Sequence, residues 1–162
     1  VYQCAPFTGF PKTLNAIAAI DEVFAENGIA LPLEDCGTVT ESDRYEKGLA
    51  LQVPVYGAEI KERCAWLPAE FADAVPGFLT AFGVGDFFTR KALNAKEREL
   101  LATVALAALG DAEILLRSHV AGALKTGNTK EEIVCARVQA MPYMGIPRLL
   151  RALDCAKEGL TG

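Results

Sequence analysis

The segment from Asn94 to Gly110 constrains the fold of this chain more than any other part of the sequence. Asn94 is a favourable helix cap, and Glu97 three residues later completes the capping-box pattern, in which each side chain bonds the other residue's backbone amide. The run LLATVALAAL that follows is apolar on all sides, and Gly110 is typical of the position just past a helix end. Because a helix without a polar face must be covered on every side, the sequence predicts a central buried helix.

The other helices also have recognisable starts and ends. Thr129 with Glu132 repeats the capping-box pattern, and Asp111 is a candidate cap for the helix before it. No stretch alternates with period two for long enough to predict a strand. We therefore predict an all-α fold, a compact bundle around a central helical hairpin. The predicted helices cover residues 11–27, 42–53 (ended by Pro54), 57–66, 68–83 (interrupted at Pro76), 94–109, 111–127, 130–141 and a last helix opened by Pro147.

Residues 3–24 and 139–160 carry two copies of one pattern, Q-x-x-P-x-x-G-x-P followed by an amphipathic helix; seven of the 22 aligned positions are identical. The first proline removes a backbone hydrogen bond, the glycine permits a positive φ and the second proline suits a first helical turn. The pattern therefore predicts a helix end, a tight corner and a new helix. We expect residues 1–29 to be the tail of an upstream repeat that this chain otherwise lacks, residues 30–43 to be a linker, and residues 44–162 to be a complete unit.

Composition and charge argue against several classes of function. A net charge of −5 and a pI near 5.0 are unsuited to a nucleic-acid backbone, which needs clustered Lys and Arg. No apolar run reaches the roughly eighteen residues of a membrane span, and no signal-peptide layout is present. We therefore expect no nucleic-acid or membrane partner and a cytoplasmic location. The hydrophobic fraction of 51% is high for a soluble monomer, which favours a homo-oligomer.

The five cysteines are odd in number and widely spaced. No CxxC pair occurs, and no histidine lies near a cysteine at metal-ligand spacing. Free cysteine commonly behaves as a small hydrophobe, so we predict reduced, structural thiols, no metal site and no cofactor. The five are Cys4, Cys36, Cys64, Cys135 and Cys155.

His119 and Glu99 are the candidate catalytic residues. His119 is the only histidine, and its neighbours three and four residues away place it on the apolar side of its helix. An imidazole there is either a hydrogen-bonded core residue or a proton donor and acceptor near neutral pH. Glu99 lies where the central helix becomes wholly apolar, and a carboxyl entering such a region has a raised pKa unless it is paired. The alternative for Glu99 is a solvated carboxylate that favours the positive end of the helix.

Four further residues are candidates for binding a substrate. Arg98 and Arg117 can hold a carboxylate through a bidentate contact, although ordinary surface arginines would look the same in the sequence. Gln139 and Tyr143 flank the Pro/Gly corner, and both can donate hydrogen bonds. A structural role at the corner would also explain these two.

Several segments, in order, resemble the carboxymuconolactone decarboxylase family within the alkyl hydroperoxidase D-like superfamily. The resemblance covers about residues 44–160, and the N-terminal TGFPKTLNAIAAIDEVF resembles the tail of a second such domain. It implies a compact helical domain around a two-helix hairpin, assembled into trimers or hexamers, with pockets near subunit contacts lined by Glu99 and His119. The segments are RYEKGLALQVPVYGAEIKER, FTRKALNAKERELLATVALAALG, SHVAGALKTGNTKEEI and Gly145-Ile146-Pro147.

The resemblance implies two kinds of chemistry. Decarboxylase members remove carbon dioxide from a small lactone acid and reprotonate carbon, and they tend to show a W-x-x-W-T-R-P-G-L run where this chain reads FFTRKAL at residues 87–93. The alkyl hydroperoxidase D branch reduces peroxides with a CxxC pair ahead of the matching histidine. The residues before His119 are DAEILLRS, without a cysteine, so that pair is missing.

We therefore predict a lyase-like enzyme of this family that performs proton-transfer chemistry, decarboxylation or isomerisation, on a small anionic acid or lactone. His119 would act as acid or base, Glu99 as its relay, and Arg98 or Arg117 as the substrate anchor. Two alternatives remain open. One is a thiol peroxidase-like antioxidant with peroxiredoxin-type activity that uses a distant thiol such as Cys135 or Cys4. The other is a non-catalytic domain that serves assembly.

Overall fold

The computed structural model describes residues 1–57 and 60–161 of the chain. This part of the chain is helical and contains no β-strand, so the all-α prediction is confirmed. A short 3-10 turn at the N-terminus leads into the first helix, and a π-helix, Leu79–Asp86, follows the fourth. The α-helices are α1 (Ala5–Glu26), α2 (Arg44–Tyr56), α3 (Ile60–Cys64), α4 (Ala69–Phe78), α5 (Ala95–Leu109), α6 (Glu113–Lys125), α7 (Lys130–Met144) and α8 (Ile146–Thr161).

Helices α5 and α6 form the central hairpin, and α7 and α8 pack against both. The Asn94 side chain accepts a hydrogen bond from the Glu97 amide (3.0 Å), and the Glu97 carboxylate accepts one from the Asn94 amide (2.8 Å). Gly110 ends α5 with a φ of 81°. No residue from 100 to 109 is exposed. The capping box, the end and the burial of the central helix are therefore all confirmed.

The helix boundaries differ from the prediction mainly at prolines. Pro54 lies inside α2, which continues to Tyr56, and Pro142 lies inside α7. A proline near the end of a helix removes one hydrogen bond without ending the helix when the following residues keep helical angles. Helical structure also continues past Pro76 into the wider turns of the π-helix. The helix predicted over residues 57–66 is observed only as α3, and residues 58 and 59 lie outside the described residues.

The starts of α6 and α7 also test the predicted caps. Asp111 does not cap α6, because Ala112 precedes its first residue and no side chain caps that end. Thr129 and Glu132 form the second capping box as predicted. Glu132 also accepts a hydrogen bond from Lys96 Nζ (2.7 Å), which joins the starts of α7 and α5.

Helix α2 crosses the π-helix at a contact between two glycines. A Cβ on Gly48 would lie 2.3 Å from the carbonyl oxygen of Thr80, and a Cβ on Gly85 would lie 2.2 Å from that of Arg44. Both distances are far shorter than any real contact of a Cβ atom, so the two backbones touch directly. This close crossing fixes α2, and with it Tyr56 at the end of α2, relative to the rest of the bundle.

The two copies of the Q-x-x-P-x-x-G-x-P pattern have the same corner geometry. The first bends at Gly9 (φ 76°, ψ 165°), inside α1, and the second bends at Gly145 (φ 83°, ψ 156°), between α7 and α8. The first copy lies against α5 through the N-terminal turn and α1. That residues 1–29 are the tail of an upstream repeat remains a prediction.

The segment between α1 and α2 contains no α-helix and is fixed to the loop before α5. Thr38 Oγ1 donates to the carbonyl oxygen of Thr89 (2.9 Å), and the Lys91 amide donates to that of Cys36 (2.9 Å). In the same loop, Ala92 has a φ of 77°, which is unusual for a residue other than glycine. Ala92 stands where the family run W-T-R-P-G-L has its glycine.

Replacing Ala92 by glycine is expected to raise the free energy of unfolding by about 0.5–1 kcal/mol, because relief of the left-handed conformation outweighs the entropy that glycine adds to the unfolded chain. Urea titration followed by circular dichroism measures the change. The matched control is Ala18→Gly at an exposed position inside α1, which is expected to cost about 0.8–1 kcal/mol. Equal losses in both variants would show that Ala92 is not strained.

Candidate functional site

Three helices bring one polar side chain each to a single point: Tyr56 from the end of α2, Glu99 from α5 and His119 from α6. The Tyr56 hydroxyl donates to Glu99 Oε1 at 2.5 Å. His119 Nδ1 lies 2.9 Å from Glu99 Oε2 and 2.6 Å from the Tyr56 hydroxyl. The three groups therefore form a closed triangle of short polar contacts.

The triangle leaves one nitrogen of the imidazole free of these bonds. The Glu99 side chain is 3% exposed and that of His119 is 13% exposed, so water does not compete strongly for the Nδ1–Glu99 contact. With the Nδ1 proton donated to the carboxylate, neutral imidazole carries its lone pair on Nε2. Among the described residues, no hydrogen bond involves Nε2. This atom is therefore the one placed to exchange a proton with a bound molecule.

Tyr56 is held as a neutral phenol. Burial raises the pKa of its hydroxyl far above the ordinary value, and the negative charge of Glu99 raises it further. A phenol in that state donates its proton to Glu99 and is not a base at neutral pH. Its hydroxyl contacts both the Glu99 carboxylate and the His119 imidazole.

Gly122 makes room for the triangle. It lies three residues after His119 on α6, and a Cβ there would be 2.7 Å from Glu99 Oε2 and 3.1 Å from the Tyr56 hydroxyl oxygen. Any side chain at this position would push the carboxylate away from the imidazole. The absence of a side chain at Gly122 is thus part of the site.

Aromatic rings surround the imidazole. Phe7, from α1, meets the His119 ring edge-on with ring centroids 5.2 Å apart, and the Phe88 ring lies 6.5 Å away. Tyr56 adds a third ring at 5.2 Å. The imidazole is therefore bordered by three aromatic rings, two of which are wholly apolar.

Comparison with known proteins identifies the helical unit. The model of the carboxymuconolactone decarboxylase family matches residues 56–158, a segment that contains Tyr56, Glu99 and His119. The chain belongs to the carboxymuconolactone decarboxylase family.

Two similar proteins are named as decarboxylases. The 4-carboxymuconolactone decarboxylase of Acinetobacter baylyi is 28% identical over 120 residues, which are 74% of this chain and 89% of that protein. The nitrosuccinic acid decarboxylase of Metarhizium robertsii is 28% identical over 117 residues, 72% of this chain and 81% of that protein. An uncharacterised 15.0 kDa protein of Paracoccus denitrificans is 36% identical over 85 residues, 52% of this chain and 63% of its own length.

The sequence predicts Arg98 as a substrate anchor. In the structure, its hydrogen-bond donors are bound to other groups of the same chain. Its side chain is buried, and its guanidinium donates to the Gln3 side chain at 2.5 Å. The remaining donors bind four backbone carbonyl oxygens of the preceding loop, those of Phe87 (2.8 Å), Arg90, Lys91 (3.1 Å) and Leu93 (3.0 Å). A guanidinium has five N–H groups, so these bonds use all of them. Substrate binding by Arg98 would require bonds to the protein to break.

The other three predicted binding residues lie away from the triangle. Arg117 is two residues before His119, which places it on the opposite side of α6, where it lines a cavity of about 90 Å³ with Val120 and Cys155. Gln139 is exposed, and Tyr143 is 92% exposed. Among the described residues, none of the three is hydrogen-bonded to Glu99 or His119. Their roles in substrate binding remain predictions without support from this geometry.

Tyr56 was not among the residues singled out in the sequence. The family match begins at Tyr56. Pro54, however, predicts a helix end three residues before the observed one, so Tyr56 is not expected to lie on α2. Phe7 was likewise not expected near His119, because it belongs to the separate N-terminal segment.

Three other findings concern the cysteines, metal-binding groups and helix lengths. All five cysteines are free, and burial raises the pKa of the Cys4 thiol. In the described ranges, no three His, Cys, Asp or Glu side chains are grouped so that they could hold a metal ion. None of the described helices combines the length and apolar character needed to cross a membrane.

Proposed function

We propose that this chain is a decarboxylase of a small carboxylic acid and that the Nε2 atom of His119 transfers the proton. The observation that carries this proposal is the imidazole bound through Nδ1 to Glu99 and Tyr56, with Nε2 left without a hydrogen bond among the described residues. Two similar proteins named as decarboxylases of two different small acids support the reaction type.

The proposed reaction has two steps. The bond between the carboxylate and its neighbouring carbon breaks, carbon dioxide leaves, and the electron pair remains on that carbon, delocalised into an adjacent electron-withdrawing group of the substrate. The Nε2 atom of His119 takes up a proton from water and donates it to that carbon, which leaves hydroxide and returns the imidazole to its neutral form. Glu99 accepts the Nδ1 hydrogen bond and so keeps Nε2 turned toward the substrate.

The apolar walls favour the first step. A carboxylate beneath Phe7 and Phe88 loses part of its hydration, whereas the charge of the transition state is spread over several atoms and depends less on water. The proposal therefore needs no arginine against the departing carboxylate, which agrees with the commitment of Arg98 to backbone carbonyl oxygens.

No observation favours the thiol peroxidase alternative. That chemistry requires a reactive thiolate, and burial holds the Cys4 thiol in its neutral form. The chain also lacks the CxxC pair of the peroxide-reducing branch.

The direct test is incubation with 4-carboxymuconolactone, nitrosuccinate and a panel of other small acids that carry an electron-withdrawing group beside the carboxylate. Released carbon dioxide is measured, and the reaction is repeated in deuterium oxide. We expect one deuterium at the carbon that lost its carboxylate. No carbon dioxide from any of these acids would overturn the proposal.

Replacing Tyr56 by phenylalanine tests the orientation of the site. We expect kcat to fall about 10- to 100-fold, because a hydrogen bond to the Glu99 carboxylate is lost, with KM little changed. Tyr45→Phe is the matched control, since Tyr45 lies on the same helix and is 40% exposed. Equal kcat in the two variants would show that the Tyr56 hydroxyl does not position the catalytic pair.

A further inference from the structure

The N-terminal residues 1–26 pack on the face of the helical unit that carries Arg98 and His119, which we call the receptor face. Gln3 is 5% exposed, and its Oε1 accepts a hydrogen bond from Arg98 Nη1 at 2.5 Å. One helical turn later, Phe7 packs edge-on against the His119 imidazole at 5.2 Å. A glutamine and an aromatic residue four positions apart are thus the two anchors of residues 1–26 on this face.

The second copy of the repeat carries a glutamine and an aromatic residue at the same spacing, but there both side chains are exposed. At the constant spacing of the repeat, Gln139 corresponds to Gln3 and Tyr143 to Phe7. Both copies lead into a corner of nearly the same backbone angles, at Gly9 and Gly145. Yet Gln139 is exposed and Tyr143 is 92% exposed. The corner geometry agrees between the copies, Gln3 lies in a 3-10 turn where Gln139 lies in α7, and the burial of the two pairs differs.

The geometry points to Gln139 and Tyr143 as a docking element for a second unit of this fold. Gln139 accepts a hydrogen bond from the arginine that occupies the place of Arg98 in that unit, and the Tyr143 ring packs on the histidine in the place of His119. The partner is a unit whose arginine and histidine are uncovered, because residues 1–26 already cover this face on their own unit.

Docking of this kind would make the partner's site a composite of two units. Phe7 brings only a hydrocarbon edge to the imidazole in this chain, whereas Tyr143 would bring a phenol hydroxyl to the equivalent place. The two sites would therefore differ in one hydrogen-bonding group, and that group would come from the neighbouring unit. This inference holds whether or not the proposed decarboxylation is correct, since it rests on burial and repeat geometry.

The test uncovers the receptor face within the full chain. The double variant Gln3→Ala/Phe7→Ala frees a donor of Arg98 and exposes the imidazole, so a second copy can insert its Gln139 and Tyr143. We expect sedimentation velocity to show a dissociation constant for self-association at least about tenfold lower than in the wild type. An effect of this size is usual when one buried aromatic residue is added to an interface. Adding Gln139→Ala/Tyr143→Ala to the same chain is expected to return association to the wild-type level.

The chain has one histidine, so its imidazole proton resonance reports contact at the receptor face directly. That signal is expected to shift with concentration in the double variant and not in the fourfold variant. Association that is no tighter than in the wild type, or that persists in the fourfold variant, would overturn the inference. If circular dichroism shows that the double variant is unfolded, Phe7→Ala alone serves as the receptor, because it opens the imidazole to Tyr143. An imidazole resonance in that variant that does not shift with concentration counts equally against docking.

Discussion

His119→Gln is expected to lower kcat for decarboxylation by about 10²–10⁴-fold, the usual contribution of a positioned general acid or base. Glutamine can still donate a hydrogen bond to Glu99, so the buried carboxylate keeps a partner and the fold is preserved. What is lost is the ring nitrogen that can take up and release a proton. Because the proton is transferred in the chemical step, we expect KM to change little.

The control for this variant is Ser118→Ala, on the same helix, where the hydroxyl only bonds back to the carbonyl oxygen of Ile114 (3.1 Å). Its kcat should equal that of the wild type. Glu99→Gln should lower kcat as well, and the double variant Glu99→Gln/His119→Gln should be no slower than His119→Gln alone, because residues that act as one unit are not additive. Undiminished turnover in folded His119→Gln would show that the imidazole is only a core residue.

Gly48→Ala is expected to lower the free energy of unfolding by about 3 kcal/mol or more, at the upper end of the cost of overpacking. The new Cβ would lie 2.3 Å from the carbonyl oxygen of Thr80 and 2.9 Å from the amide nitrogen of Gly85. Both are backbone atoms, so no change of rotamer relieves the clash, and α2 must move away from the π-helix. Thermal unfolding should then occur roughly 6–12 °C lower in a domain of this size.

Gly77→Ala is the same substitution at a place where nothing lies within 4 Å of the added Cβ. Because Gly77 is in α4, this variant should be stabilised by up to about 1 kcal/mol. Similar melting temperatures for the two variants would mean that the crossing at Gly48 is looser than described. Since Tyr56 is at the end of α2, Gly48→Ala should also lower kcat at temperatures where it remains folded.

The features that the sequence predicted well depend on neighbours along the chain. The capping box of Asn94 and Glu97 lies within a single helical turn, and Gly110 acts on its own backbone. The helical period placed His119 on the apolar side of α6, and the start of the apolar run placed Glu99 at the edge of the core. Their side chains are in fact largely buried and lie in contact.

The features that the sequence did not predict depend on contacts between distant segments. Pro54 indicates a helix end, but α2 continues for another three residues and brings Tyr56 to Glu99 and His119, which come from distant parts of the chain. Arg98 was interpreted as a substrate anchor because the carbonyl oxygens that occupy it cannot be recognised from residue types. The difference in burial between Phe7 and Tyr143 likewise depends on distant contacts, because Phe7 packs on His119 whereas Tyr143 is 92% exposed.

The bonds of Arg98 have a consequence for how such a site can diversify. Its guanidinium holds Gln3, one turn before Phe7, and the carbonyl oxygen of Phe87, next to Phe88. One cation thus sets the spacing of both rings that face the imidazole. Because most of its bonds go to main-chain oxygens, the side chains of that loop can be exchanged without loosening it. The lining of the site can therefore change while its frame stays the same.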